Sequence, residues 1–211
     1  VYCANLASIV LHIWTSRLPE LEEPDFVIFD LDPGEECSLR RLATVTLALR
    51  DLLVEVGLRP LVKTTGGFGL HLVLPLHAGY SYDTAKLFAE IVARQGAARL
   101  GADVTLQRTL AKRPQNAVYL DYVQVGLGKT IVTPYSVRAR DGAPVSTPLH
   151  WEEVEALARR RGHIRPADEF AKHNMRTVPK RLEREGDLWG GRRWKEQHLE
   201  AAIAKAQRLW S

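Results

Sequence analysis

Hydrophobic and polar positions alternate along this chain in short blocks. Residues 26–32, Phe-Val-Ile-Phe-Asp-Leu-Asp, form a β-branched and aromatic run stopped by Pro33-Gly34, which predicts a strand entering a turn. Leu42, Val45, Leu49, Leu52, Leu53 and Val56 then recur at helical spacing, with Ser38 where an N-cap belongs and Gly57 just past the end. That pattern predicts a helix over 39–56. Residues 59–64 and 69–75 predict two strands about a Gly66-Gly67 turn, and Tyr82–Leu100 a second amphipathic helix with Asp83 near its start. Further on, 119–124 and 129–135 predict two strands joined as a hairpin across Gly126 and Gly128. Helical patterning returns over 151–161 and 194–210, on either side of an irregular stretch, 166–191, punctuated by Pro and Gly. The order predicts an α+β fold, with a mixed or antiparallel central sheet and helices packed on one face of it. A core over 1–149 and a C-terminal helical extension over 150–211 are the expected divisions.

Composition narrows the function classes. The 211 residues are 45% hydrophobic and 26% charged, which excludes wholesale disorder. No apolar run reaches the roughly 18 residues of a membrane-spanning helix, so no membrane partner is expected. The chain opens Val-Tyr-Cys without the basic region and long apolar core of a signal peptide, as an interior or trimmed segment would. Two cysteines, Cys3 and Cys37, supply neither a disulfide framework nor a four-ligand zinc site, which favours a reducing cytoplasm. The formal charge is +4 and unevenly spread: residues 159–211 hold 14 Lys and Arg against 7 Asp and Glu, and the preceding 158 hold 15 against 18. A basic tail region on a slightly acidic body suits a polyanionic partner, although a solvated helical surface has the same composition.

Four constellations carry candidate chemistry. Asp30 and Asp32 are two apart on a strand, so their carboxylates project from one face just before a tight turn. Two such anions suit a hard cation, Mg²⁺ or Mn²⁺, bridging to phosphates; the plainer alternative is a strand-end turn with Asp30 in water and Asp32 as a cap. Asp121, in Val-Tyr-Leu-Asp-Tyr, is costly in an apolar strand unless paired, metal-bound or at a wet edge. If its strand neighbours the first, three carboxylates converge, as two-metal phosphoryl transfer requires. Lys63-Thr-Thr-Gly-Gly-Phe-Gly-Leu-His71 has glycines that let backbone N–H groups approach phosphate, and hydroxyl donors at Thr64 and Thr65. A glycine-rich hairpin with a core histidine would have the same sequence, and the spacing is not that of a Walker A loop. Arg138 and Arg140 follow a strand in Thr-Pro-Tyr-Ser-Val-Arg-Ala-Arg, placed to neutralise a triphosphate or a template phosphate.

Taken in order, Phe-Asp-Leu-Asp-Pro, Lys-Thr-Thr-Gly-Gly-Phe-Gly-Leu-His, Tyr-Leu-Asp-Tyr-Val-Gln and Pro-Tyr-Ser-Val-Arg-Ala-Arg-Asp-Gly-Ala-Pro-Val-Ser-Thr-Pro-Leu resemble the polymerase domain of bacterial ligase D. That family belongs to the archaeo-eukaryotic primase superfamily and acts in non-homologous end joining. The resemblance covers nearly the whole chain and implies a primase-polymerase-like core over 1–149 that lacks the family's usual N-terminal segment. It also implies a DNA-directed nucleotidyltransferase that adds nucleotides to a primer 3′-hydroxyl at DNA ends. Asp30, Asp32 and Asp121 would hold two divalent ions, Mn²⁺ by family preference or Mg²⁺, with a nucleoside triphosphate as substrate. His12, Thr65, Gly66, Gly67, His71, Gln124 and Arg138 would contact the nucleotide. Arg140, Arg159, Arg160, Arg161, Arg192 and Arg193 are candidates for DNA phosphates, and Trp189 and Trp194 for base stacking or for the core. Implied partners are DNA ends or a primer-template, Ku, and ATP-dependent ligase and phosphoesterase domains; the implied location is the bacterial cytoplasm, with the nucleoid.

Three departures stand out. Phe68 occupies the position of the family's glycine-loop lysine, Val125 and Leu127 replace polar or basic residues after the third acid, and the N-terminal segment is absent. A truncated or degenerate module that bridges DNA ends without synthesis is the alternative these departures favour. Metal-dependent phosphodiester hydrolysis is a second, because the same two ions can activate water.

Overall fold

The computed structural model describes residues 2–190 and 196–210. A short helix α1 (Tyr2–Asn5) and a three-residue strand β1 (His12–Trp14) lead into β2 (Phe26–Pro33), the strand expected from the apolar run. Then come α2 (Leu39–Glu55), the hairpin β3 (Leu61–Thr64) and β4 (Leu70–Pro75), and α3 (Tyr82–Leu100). Ser38 caps α2 as its position implied, its hydroxyl accepting the Arg41 N–H at 3.2 Å. The second half runs β5 (Val104–Thr105), β6 (Val118–Asp121), β7 (Thr130–Val132), β8 (Pro148–Leu149), α4 (Trp151–Ala158), α5 (Pro166–Phe170), α6 (Val178–Glu185) and α7 (Glu200–Leu209).

The main sheet is mixed, in the order β5-β6-β2-β4-β3-β8. Among the paired strands described, β5 and β6 run parallel and β2, β3, β4, β6 and β8 pair antiparallel. Its two faces differ in kind. Leu31 pairs with Leu70 on one side and Leu120 on the other. The face they share is covered by α2 and α3: a Cβ placed on Gly96 of α3 would meet Leu49 and Leu52 of α2 and, at 3.8 Å, Leu120. Phe29, Leu31, Leu70 and Leu120 are fully buried, and each such side chain contributes about 1.5–3 kcal/mol of hydrophobic stabilisation. Helix α4 packs on α2, and Val154, Phe170, Leu199, Ala202 and Ala206 join the same core. Among the described residues, no helix is long and apolar enough to cross a membrane.

Two expectations give way. The predicted hairpin across Gly126 and Gly128 does not form: β6 pairs with β2 and β5, whereas β7 pairs with β1 in a separate two-stranded sheet. The chain leaves β6 at Asp121, whose Oδ1 accepts the Val123 N–H at 2.9 Å. This side-chain turn, reinforced by Lys129 Nζ donating to the Val123 carbonyl, ends the strand before Gln124. Within 166–191, read as irregular, α5 and α6 are helical. Each tolerates its proline because Pro166 and Pro179 sit in the first turn, where no intrahelical N–H bond is lost.

Candidate active site

The strand register assembles the site. Asp30 faces Asp121 across β2 and β6, and His71 across β2 and β4; His71 in turn faces Lys63 across β3 and β4. Directly paired residues of antiparallel strands share a face, with Cβ atoms about 5 Å apart. Asp121, Asp30, His71 and Lys63 therefore form one row across four strands, and Asp32, two residues on, projects from the same side. This is the face opposite the α2–α3 layer. The three carboxylates, distant in sequence, meet on one side of the sheet.

Asp30 and Asp32 open onto a cleft of about 560 Å³ lined by His12, Thr65, Gly67, Phe68, His71, Leu110, Arg113, Gln124, Arg138 and Arg140, among others. His12 reaches it from β1, whose pairing of His12 with Val132 of β7 fixes the strand at the rim. Gln124 Nε2 donates to Asp121 Oδ2 at 3.0 Å. Asp121 and Gly66 do not line the cleft themselves; Asp121 adjoins it through Gln124, and Gly66 through Arg138. Arg159, Arg160 and Arg161 are not brought here: they lie at and beyond the end of α4, and Arg159 and Arg160 pair with Glu155 and Glu169. Arg192, Arg193 and Trp194 lie outside the described residues, and Trp189 packs against the core.

The glycine loop is shaped by close approach. Gly66 has a φ of +70°, and a Cβ there would lie 2.7 Å from Arg138 Cγ and 2.9 Å from the Ser146 nitrogen. Gly69 lies so near β2 that its Cβ would sit 2.4 Å from the Leu31 carbonyl oxygen. Thr65 Oγ1 accepts the N–H groups of Gly67 and Gly69, at 3.1 and 3.2 Å. The Thr65 hydroxyl thus orders the loop, and its own proton stays available to a ligand.

Charge is concentrated and poorly compensated. Asp30 Oδ1 is buried with no well-formed hydrogen bond, its nearest polar neighbour being His71 Nε2 at 3.2 Å. Loss of water, then the charge of Asp30, with a smaller push from Asp121 against the pull of Arg113, raises Asp32 to about 7 even though its side chain opens to the cleft. Lys63 is fully buried, its Nζ donating to Ser146 Oγ at 2.7 Å. Burial, opposed by Asp30 and aided by Arg138, lowers Lys63 to about 7. Burial and the Lys63 charge likewise hold His71 below its ordinary value, and desolvation with Arg138 and Lys63 does the same to His12. Both imidazoles are neutral near pH 7.

Among the described residues, no three His, Cys, Asp or Glu side chains are gathered tightly enough to enclose an ion by themselves. Hard divalent ions that keep waters and substrate phosphates in their shells do not need such a cage. A buried carboxylate oxygen with no well-formed hydrogen bond, beside an acid whose ionisation is resisted by two others, is a donor set that such cations fit.

Arg113 carried no sequence signal beyond a basic pair before a strand. Its guanidinium carbon lies 3.4 Å from the Tyr119 ring centroid, and Nε and Nη2 donate to the Gln107 and Arg108 carbonyls at 3.0 and 3.1 Å. Tyr119 pairs with Asp32 in register, so this stack fixes a cation beside the acid. Leu110, 74% exposed on the same loop, also went unmarked.

The model of the LigD primase-polymerase domain matches residues 1–189. The multifunctional non-homologous end joining protein LigD of Pseudomonas aeruginosa is 34% identical over 210 residues, 97% of this chain and 23% of that protein. The LigD of Mycobacterium tuberculosis H37Rv is 38% identical over 134 residues, 64% of this chain and 18% of that protein. The chain thus spans less than a quarter of the length of these curated relatives. Among solved structures, the polymerase domain of Mycobacterium tuberculosis ligase D in complex with DNA superposes with a TM-score of 0.72 at 32% identity, covering 89% of this chain and 64% of that one. A match over nine-tenths of the sequence, joined to a shared mixed sheet with flanking helices, places the chain in the LigD primase-polymerase domain family.

Proposed function

We propose that this chain is a metal-dependent nucleotidyltransferase that adds nucleotides to a primer 3′-hydroxyl at DNA ends during double-strand-break repair. The observation that carries this reading is the convergence of Asp30, Asp32 and Asp121 on one sheet face, with Asp30 Oδ1 buried and its nearest polar neighbour the His71 imidazole at 3.2 Å. Divalent ions, Mn²⁺ or Mg²⁺, held by these three acids would lower the pKa of the hydroxyl and neutralise charge on the polyphosphate. In the reaction, the 3′-oxygen attacks the α-phosphorus in line, the bond from that phosphorus to the α–β bridging oxygen breaks, and pyrophosphate departs with the electron pair. Asp121 spends one lone pair of Oδ1 on the Val123 N–H and one of Oδ2 on Gln124, which orients the carboxylate to accept the hydroxyl proton. Thr65, Arg138 and the glycine-loop backbone face the polyphosphate, and neutral His12 and His71 present imidazole to the nucleotide. The solved relative was captured with DNA, which supports DNA as the polymer. Contacts to it through Lys and Arg are expected to weaken with salt and to ignore sequence.

Primer extension with Mn²⁺ tests the reading. The wild type is expected to add one or a few nucleotides, and Asp30→Ala/Asp32→Ala to fall to background. Binding of DNA ends without extension would assign a bridging module instead, and cleavage without added nucleotide would assign a nuclease.

A further inference from the structure

Phe68 is an aromatic side chain with no core to fill. It sits between Gly67 and Gly69 at the tip of the β3–β4 hairpin, is 54% exposed, and has no place in the buried cluster. Its contact is with a cation: the Arg140 guanidinium carbon lies 4.8 Å from the ring centroid. The same guanidinium stands over the glycine loop, with Nη1 3.6 Å from where a Gly67 Cβ would be.

Arg138 and Arg140 lie in a tight turn of the arm that pairs Val137 with Val145, the Arg140 N–H donating to the Arg138 carbonyl at 2.9 Å. Both line the cleft with Thr65 and Gly67. No carboxylate pairs with either arginine among the described residues. Their mutual repulsion is felt at Arg138, held below its ordinary value by desolvation and then by the Arg140 charge. Asp30 opposes that repulsion only from a distance, and two like charges with no paired carboxylate, on one wall of a cleft whose other wall is acidic, call for a polyanionic ligand. An exposed arginine otherwise spreads over many rotamers; the Phe68 ring face confines this one.

We propose that Phe68 is a positioning residue: its ring clamps the Arg140 guanidinium above the glycine loop, where Arg140 joins Arg138 in binding the polyphosphate of the incoming nucleoside triphosphate. The inference rests on the nucleotidyl-transfer reading for the identity of its ligand. It gives Phe68 a purpose at a loop position where a lysine would supply the cation directly, because here the cation arrives from the neighbouring arm.

The test is calorimetric titration of ATP in Mn²⁺, run beside steady-state primer extension, on the wild type, Phe68→Ala, Phe68→Tyr, Arg140→Ala and Phe68→Ala/Arg140→Ala. Thermal melts confirm that each variant is folded. Phe68→Ala is expected to weaken ATP binding and raise the nucleotide KM by about two- to fivefold, with kcat held within about twofold. Phe68→Tyr keeps the ring and restores wild-type values. Arg140→Ala loses about tenfold or more, and the double variant is no worse than Arg140→Ala alone. Unchanged ATP affinity in Phe68→Ala overturns the proposal. So does a double variant weaker than Arg140→Ala by the full Phe68→Ala factor, because the ring would then act on the nucleobase rather than through the arginine. A loss confined to DNA affinity overturns it too. Extension by the wild type with no effect of Phe68→Ala sinks the clamp and leaves nucleotidyl transfer standing. The expected ATP-binding pattern without extension does the reverse, and a wild type that binds no ATP sinks both.

Discussion

At Asp32 a proton would compete with the divalent ion proposed for the site. In the fold the group holds its proton up to about pH 7, against 3.8 for an unperturbed aspartate. Between those values the folded chain binds more protons than the unfolded one. The stability this group contributes is therefore fully present below about pH 3.8 and lost as pH rises through 7. A divalent ion that displaces the proton reverses that loss. Melting curves in chelator and in Mn²⁺ are thus expected to differ more at about pH 8 than at about pH 5.5, and Asp32→Asn to remove most of that dependence. Equal Mn²⁺-induced shifts at both pH values in the wild type would contradict the assignment of Asp32 as a ligand. The Asp30-x-Asp32 pair was legible in the sequence because strand periodicity alone puts both acids on one face. Arg113 was not, because its role depends on a ring and two carbonyls that only the folded loop brings around it.

Among the elements, the β3–β4 hairpin does most to shape the cleft, and its weak point is Gly69. A methyl group there meets the Leu31 carbonyl oxygen at 2.4 Å and Asp32 Oδ1 at 3.4 Å. The first neighbour is backbone and cannot swing aside. Gly69→Ala is accordingly expected to cost about 1–3 kcal/mol in urea unfolding, as overpacking does, and to weaken ATP binding by tilting the loop. An unchanged unfolding midpoint would show that β2 and β4 can part without penalty. This hairpin was readable because apolar runs flank a Gly-Gly pair. The 119–135 region was misread for a related reason: two short strands about glycines look alike whether they pair with each other or with others. Neither the partnership of β7 with β1, across more than a hundred residues, nor the side-chain turn at Asp121 leaves a periodic trace.

Across the whole molecule the two faces of the sheet divide the labour, with helices on the Leu31–Leu120 side and the acids and arginines on the other. Among the described residues, the C-terminal charge excess seen in the sequence does not gather at the cleft. Arg159 and Arg160 are engaged by acids near the end of α4, which packs on the helical side, and exposed pairs of this kind contribute roughly 0–1 kcal/mol. Arg159→Ala/Arg160→Ala/Arg161→Ala is therefore expected to keep primer extension within about twofold at physiological salt, measured on the DNA ends used for the wild type; a larger drop would restore this cluster to the DNA path. Net charge could not reveal this, because composition has no direction. The row Asp121, Asp30, His71 and Lys63 takes one residue from each of four strands. A single deletion inside β2, β4 or β6 would point its member of that row into the apolar layer, whereas extra residues in the connecting loops leave the alignment intact. Descendants of this chain are free to lengthen their loops, but they have no neutral route to shortening these strands.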